Sequence, residues 1–364
     1  MAQYGGYGRR GSSSPHGQRV RHEDLYTKKK KRKKWPIVLL VLLVLIGLLC
    51  GAFAYQFQKY YKLSNYVSDR QVLREVVQHE AEEGIAVLAN ADLTEESSNV
   101  LSAVSGIYNL LLVGVDRRDS SWSGNADSII LVSVNRNTHT IHMISFMRDL
   151  YAEIPGYGVQ KLNAACALGG CPLLVKTIEQ NYQVTADNYV SLDYAGMIAL
   201  IDAIGGVQIE VSDEEAELAN GLITDMASFL GDSPDGHYFS GGGTCLCDGY
   251  QATAYSRIRF VGNSDYERTE RQRTIMMKIF EKIRNMSLEE LSAFAAKVLP
   301  EVTHNIDAVT MLLLLPQIPS IAGYDIVESR VPYDGLYTSQ DEILVPDMDE
   351  TIRRLQETIY GSGE

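Results

Sequence analysis

The stretch Ile107-Tyr108-Asn109-Leu110-Leu111-Leu112-Val113-Gly114-Val115-Asp116 decides the fold. It is a short continuous apolar run closed by an acid, the pattern of a buried strand whose end reaches the surface. Two runs of the same kind follow, over 128–134 and 140–147, with the turn residues Asn135-Arg136-Asn137-Thr138 between them. Residues 161–182 pattern as a helix interrupted at Gly169-Gly170, and 188–192 as a strand. Residues 194–204 pattern as a helix closed by Gly205-Gly206, and 207–211 as another strand. A strand is then expected over 250–260, helices over 266–285, 288–299 and 306–316, a strand over 326–331 and a last helix over 346–359. Strands interleaved with helices predict an α/β fold, an α-β-α sandwich around a mixed central sheet. Residues 212–248, acidic and then rich in glycine, are expected to be a long loop serving as a lid over a cleft.

The 364-residue chain is 45% apolar, which excludes wholesale disorder. Ahead of the strands, the run from Trp35 to Phe57 carries no charge. At about 1.5 Å per residue it is long enough to cross the roughly 30 Å hydrocarbon core. The lysine-rich run Lys28–Lys34 before it predicts a cytoplasmic N-terminus and sends the rest of the chain outside. No small-residue cleavage site follows, so an uncleaved signal anchor in the cell membrane is expected. The expected organisation is a disordered basic cytoplasmic tail over 1–34, a single transmembrane helix over 35–57 and a helical stalk over 58–106. A catalytic domain over 107–332 and a C-terminal helical tail over 333–364 complete it. Charge divides at the same boundary, with a net of +9 over residues 1–34 and −22 over the remainder. That balance excludes a nucleic-acid-binding outer domain.

Five arginines stand out in this acidic outer segment. Arg148 follows the third strand, Arg257 and Arg259 are two apart, and Arg268 and Arg271 are three apart. Two apart in an extended segment means one face, and three apart on a helix means neighbours. Converging guanidiniums repel one another, so such a set either awaits phosphates or is neutralised by carboxylates. Asp116 at one strand exit and Asp127 at the next strand entry are the matching acids, with oxygen donors of the kind Mg²⁺ takes together with phosphate. Arginines, Mg²⁺ and a deep apolar domain suit a lipid pyrophosphate. The plainer alternative is surface ion pairing with Asp149, Asp265, Glu267 and Glu270.

These motifs, in this order, resemble the LytR–CpsA–Psr family over 109–284. The carriers of the resemblance are Leu111-Leu112-Val113-Gly114-Val115-Asp116-Arg117, Asn125-Ala126-Asp127-Ser128 and Ser145-Phe146-Met147-Arg148-Asp149. Lys161-Leu162-Asn163-Ala164, Asp202-Ala203-Ile204-Gly205-Gly206-Val207, Arg257-Ile258-Arg259 and Asp265-x-x-Arg268-x-x-Arg271-Gln272 come after them. Two departures are local: Met147 stands where the family has proline, and Ser128 where it usually has threonine. The resemblance implies a phosphotransferase-type ligase that moves a glycopolymer from an undecaprenyl-pyrophosphate carrier onto peptidoglycan, with Mg²⁺. Arg148, Arg257, Arg259, Arg268 and Arg271 would hold the pyrophosphate, supported by Lys161. Asp116 and Asp127 would hold the metal, and Asn163 would be a structural or orienting group. The bond change is read as substitution at the sugar's anomeric carbon, with lipid pyrophosphate leaving. Asp116, Asp127 and Asp149 all stand as candidates for the base. The rival expectations are a lipid-pyrophosphate hydrolase and a membrane-bound regulator or wall-binding scaffold.

Other features carry less. Cys166, Cys171, Cys245 and Cys247 lie outside the membrane by this topology, where structural disulfides are expected. Their pairing is not readable, although Cys245 with Cys247 is disfavoured by spacing along an extended segment. His139, His142, His237 and His304 have neither metal nor triad spacing. The run Gly241-Gly242-Gly243 lacks the Lys-Ser/Thr of a phosphate-binding loop.

Overall fold

The run Ile107–Asp116 forms a ten-residue strand whose first eight positions alternate between buried and half-buried, as a strand packed on both faces requires. The computed structural model describes residues 51, 54–82, 87–88, 106–118, 124–259 and 265–361. From Tyr55 onward they form one compact unit. In chain order, β1 (Asn65–Tyr66), β2 (Ile107–Asp116), β3 (Asn125–Asn135), β4 (Thr140–Phe146), β5 (Tyr151–Ile154) and β6 (Gly158–Lys161) come first. Then come β7 (Asn188–Leu192), β8 (Val207–Val211), β9 (Gly243–Cys247), β10 (Thr303–His304), β11 (Asp325–Val331), β12 (Tyr337–Gln340) and β13 (Ile343–Pro346). Seven of these make the main sheet, ordered β1-β10-β7-β2-β3-β4-β11. β2 is antiparallel to β3 but parallel to β7, and β4 is antiparallel to β3 but parallel to β11. The sheet is therefore mixed, as expected.

The helices are α1 (Asp69–Glu82), α2 (Ala164–Tyr182), α3 (Tyr194–Ala203), α4 (Asp213–Leu230), α5 (Gly249–Arg257) and α6 (Asp265–Ile283). They continue with α7 (Leu288–Val298), α8 (Ala308–Leu314), α9 (Ile318–Ile321) and α10 (Met348–Tyr360). One face of the sheet (Leu111, Val113, Ile129, Leu131) packs on Leu173 and Ile178 of α2 and on Leu355 and Ile359 of α10. The other face, through Ile130, Ile141 and Met143, meets Met276, Met277 and Phe280 of α6. A further apolar core joins α3, α4, α5, β8 and β9 to the far side of α6, through residues such as Ile201, Val207, Ile223 and Ile275.

Several expectations change. Residues 212–248 are not one loop but α4 and β9. The acids at its start cap the helix: Ser212 accepts from the Glu215 backbone and Glu215 from that of Ser212, an arrangement that favours negative charge in the first turn. The expected strand over 250–260 is α5, opened by a second reciprocal cap between Asp248 and Gln251. Its β-forming residues Tyr250, Thr253 and Tyr255 are buried helix positions, a case of tertiary packing overriding propensity. Where described, the expected stalk over 58–106 is built into the domain. β1 pairs with β10, the Val72 side chain lies against Gly170, and Leu88 joins the core. The expected C-terminal tail likewise buries Leu355 and Ile359. The basic tail over 1–34 lies outside the described residues, as does most of the apolar run over 35–57. Among the described residues no helix is long and apolar enough to cross a membrane.

The cysteines depart from expectation too. All four are free thiols, and they lie against sequence neighbours rather than bridging distant elements. A hydrogen bond with Cys171 and complete burial push the Cys166 thiol well up. Burial and contact with Cys245 do the same for Cys247. The helix break that the Gly169-Gly170 pair is expected to cause is present in α2, with φ +69° at Gly170.

Gly124 fixes how closely β2 and β3 approach at the end that carries Asp116. It has φ +65°, and a Cβ there would lie 2.3 Å from the carbonyl oxygen of Asp116. Gly124→Ala is expected to cost about 1–3 kcal/mol, with about 2–4 °C of thermal midpoint lost per kcal/mol in a domain of this size. A melting curve superimposable on the parent's contradicts that close approach.

Candidate functional site

The β2–β3 ladder slips by one residue where the two acids stand. Gly114 pairs with Ser128 and Val115 with Ala126, which leaves Asp127 as the extra, bulged residue. A bulge re-aims a side chain and frees its backbone from the ladder, and both effects are used here. The Asp127 carbonyl accepts from Arg268 Nη2 and from Gln272 Nε2, each at 3.2 Å. Its carboxylate accepts from Arg148 Nη1 at 3.0 Å through Oδ1 and from Arg259 Nη2 at 3.2 Å through Oδ2, with Arg268 Nη1 at 3.9 Å. Burial pushes the Asp127 carboxyl up, but the Arg268, Arg148 and Arg259 guanidiniums outweigh it and hold it below the usual carboxylate range.

Asp116, at the end of β2, accepts from Arg118 Nε at 3.1 Å. Arg118 stacks over Phe229 of α4, with 5.6 Å to the ring centroid. Phe229 in turn packs against Tyr194 at 5.6 Å, and Arg257 lies 4.4 Å over the Tyr194 ring. Cations on ring faces gain from the aromatic quadrupole. This shelf therefore carries two arginines into the site without consuming all their donors. Arg257 Nη2 meets Asp225 at 3.5 Å, whereas its Nη1 is buried without a hydrogen-bond partner. Burial and the charges of Asp116 and Asp127 raise the Tyr194 hydroxyl against the lowering effect of Arg257.

Asp116, Asp127, Arg118, Arg257, Arg259 and Arg268 all line one cavity of about 460 Å³. The apolar part of its lining is made by Leu192, Met197, Leu218, Leu222, Ile275 and Met276. The remaining expected residues stand beside it. Arg148 is behind Asp127 and also meets Asp149 at 3.4 Å. Asp149 pairs with Lys161 at 3.0 Å, and Lys161 reaches Glu342 at 3.4 Å. Asn163 acts through its backbone, donating to the Arg148 carbonyl and accepting from Ala126 N–H, which ties the two strand ends together. The amide of Met147 donates to the Val331 carbonyl at 2.9 Å, a bond that a proline at this position has no N–H to make.

Arg271 does not line the cavity. Its donors go to Glu215 at 2.9 Å, Glu267 at 3.1 Å and the Ile258 carbonyl at 3.2 Å. It fastens the start of α4 to the backbone just ahead of Arg259. Arg257 and Arg259 do not share a face of an extended strand either. Arg257 ends α5, and Ile258 turns the chain so that Arg259 reaches Asp127. Arg118, Tyr194 and Asp225 are site residues that sequence reasoning missed, and Gln272, part of the last motif, has no role assigned to it there. For Arg118 the signal is there, two residues beyond Asp116; for Tyr194 and Asp225 there is none before the packing of α3 on α4. None of His139, His142, His237 and His304 lines the cavity.

Known proteins are similar to this chain in sequence and in fold. Biofilm regulatory protein A of Streptococcus mutans is 32% identical over 237 residues, covering 60% of this chain and 53% of that protein. The polyisoprenyl-teichoic acid–peptidoglycan teichoic acid transferase TagU of Enterococcus faecalis is 35% identical over 202 residues, covering 54% and 60%. The chain thus spans about half the length of these curated relatives. Among solved structures, TagT bound to LI-WTA superposes with a TM-score of 0.54 at 24% identity, covering 74% of this chain and 96% of that one. Protein gbs0355 of Streptococcus agalactiae gives 0.58 at 23%, covering 74% and 93%, so the fold is shared. Residues 76–358 match the LytR_cpsA_psr family, and the chain belongs to that family.

Proposed function

We propose that this chain transfers a glycopolymer from an undecaprenyl-pyrophosphate carrier onto peptidoglycan, at the outer face of the cell membrane. The observation that carries the reading is the composition of one cavity: the guanidiniums of Arg118, Arg257, Arg259 and Arg268 and the carboxylates of Asp116, Asp127, Asp193 and Asp225 share its lining with an apolar wall. A diphosphate joined to a hydrocarbon chain has that polarity. Arg257 Nη1, a buried donor without an acceptor, adds support, because such groups are costly unless a partner arrives. The transferase names carried by relatives in Enterococcus faecalis and Bacillus subtilis agree with it.

Arg118, Arg257, Arg259 and Arg268 would hold the diphosphate oxygens, and the apolar wall would take the first part of the prenyl chain. The step is read as phosphoryl transfer rather than the anomeric substitution expected from sequence: guanidiniums gathered at one cavity stabilise the charge of a transferring phosphoryl group. In the proposed step the acceptor hydroxyl oxygen bonds to the phosphorus next to the sugar. The bond from that phosphorus to the bridging oxygen breaks, and polyprenyl phosphate leaves with the electron pair. The hydroxyl proton passes to a carboxylate; with three guanidiniums around it, Asp127 is the poorest base of the three candidates.

Mg²⁺ fits these residues. A carboxylate offers about four lone-pair sites, so the arginine bonds do not exhaust Asp116 and Asp127. Among the described residues no three His, Cys, Asp or Glu converge on a metal position, so phosphate oxygens and water would complete the shell. Asp116 and Asp127 would hold the ion, which when bound spreads the charge of the transferring group.

Incubation of the full chain with lipid-linked polymer and peptidoglycan is expected to release polyprenyl monophosphate and leave a phosphodiester on the glycan, both read by mass spectrometry. Release of polyprenyl diphosphate contradicts phosphoryl transfer, and polymer left unattached to glycan supports the hydrolase instead. Two arginine variants separate roles. Arg257→Ala should lower transfer by about 10- to 100-fold, from about 1.5–3 kcal/mol per charged hydrogen bond, with the melting temperature unchanged. Arg271→Ala, which removes a buried guanidinium from two half-buried carboxylates and the Ile258 carbonyl, should cost about 1–3 kcal/mol of stability. Equal melting curves for the two variants contradict this division.

A further inference from the structure

The connection from β10 to β11 crosses from one edge of the sheet toward the other, at the end opposite Asp116 and Asp127. Arg136, in the turn after β3, donates there to Gln317 at 2.7 Å. From Ala308 to Tyr324 this connection contains no charged residue, although the chain beyond residue 34 has a net charge of −22. Ile321 and Tyr324 pack against the sheet, but other apolar side chains of the segment stand in the open: Val309 is 68% exposed, Leu313 66%, Ile318 50%, Leu312 39% and Leu315 37%. Single exposed leucines are ordinary, whereas a contiguous uncharged group marks a contact surface.

The chain itself indicates what covers that surface. The helix over 54–61 continues from the end of the apolar run over 35–57, and its Tyr61 hydroxyl donates to the Ile306 carbonyl at 3.4 Å. The rings of Tyr61 and Tyr66 meet His304 at 6.1 and 5.9 Å. The apolar segment begins two residues past Ile306, at Ala308. From Tyr55 to Tyr61 is six residues, about 9 Å of helix, so the segment starts about one headgroup layer from where an anchored chain would leave the hydrocarbon. Tyr55 at 70% and Tyr66 at 40% exposure have the amphipathic character of residues at a membrane–water boundary. A domain of such negative charge gains nothing from an anionic bilayer electrostatically, so apolar insertion is the attraction available to it.

We propose that residues 308–324 form a membrane-contact surface that rests in the outer leaflet of the bilayer that anchors the chain. The inference rests on reading 35–57 as a membrane span. It sets the strands with their Asp116 end away from the lipid, by about the length of a ten-residue strand, roughly 33 Å, which points the arginine cluster toward the wall.

The test uses the full chain in liposomes of phosphatidylethanolamine and phosphatidylglycerol, with benzoylphenylalanine placed in turn at Leu43, Val309, Leu313 and Glu342. After illumination, lipid adducts are read by mass spectrometry. Adducts are expected at 43, 309 and 313 and not at 342, which lies beside Lys161 near the site. Adducts at 43 without any at 309 or 313 overturn the contact surface and leave the span standing. Protein–protein adducts at 309 or 313 overturn it in favour of a second copy of the chain. Adducts at 342 matching those at 313 overturn the orientation, and none at 43 overturns the span and the inference with it.

Discussion

The arrangement depends on one bulged residue. Had β3 kept register with β2, the Asp127 carbonyl would belong to the ladder and its side chain would follow the alternation of the strand. The extra residue frees both. The carboxylate draws in Arg148 and Arg259, the carbonyl holds Arg268 and Gln272 of α6, and three separate parts of the chain are fixed at a single point. Guanidiniums at this spacing repel one another, so without the buried anion the cluster would have to spread or take up water. Asp127 is best understood as an organiser that keeps cations close and leaves them able to exchange one anion for another.

A second set of interactions keeps the organiser in place. Arg271 ties Glu215 and the Ile258 carbonyl together, and Glu215 is itself the reciprocal cap of α4. The segment that delivers Arg259 is thereby anchored to the helix that supplies the apolar wall. Burial tends to raise the Glu215 carboxyl, and its bonds to Ser212 and Arg271 hold it lower instead. On the opposite side, the Asn163 backbone braces Arg148 and Ala126, and the Met147 amide holds the Val331 carbonyl.

Much of this is legible in the residue pattern. The strand runs over 107–116 and 140–147 and the glycine break in α2 follow from periodicity, whereas grouping Asp116, Asp127, Arg257, Arg259 and Arg268 rests on the family resemblance, since the spacing argument takes Arg257 and Arg259 as an extended segment and Arg257 instead ends α5. The misreadings have definite causes. Acids and glycines over 212–248 imitate a solvated loop, though the acids are cap residues and the chain between them carries helical spacing in Ala216, Ala219, Ile223 and Met226. Tyr250, Thr253 and Tyr255 imitate a strand because bulky residues suit any buried position. Spacing alone does not separate Arg271, a brace, from Arg268, a site residue. Three residues along a helix bring two arginines to one side but say nothing of which acids already wait there. The shelf made by Tyr194 and Phe229 under Arg257 and Arg118 is a product of packing between α3 and α4, far apart in sequence.

The most direct test of Asp127 as organiser is the binding of a short polyprenyl diphosphate, such as geranylgeranyl diphosphate, to the full chain and to Asp127→Asn. Titration calorimetry with chelator present removes any part played by a metal. If the carboxylate assembles the arginines, losing it weakens binding by about tenfold, even though a negative charge has left the neighbourhood of an anion. Tighter binding by the variant would mean that Asp127 merely competes with the ligand for the guanidiniums, and would contradict the account.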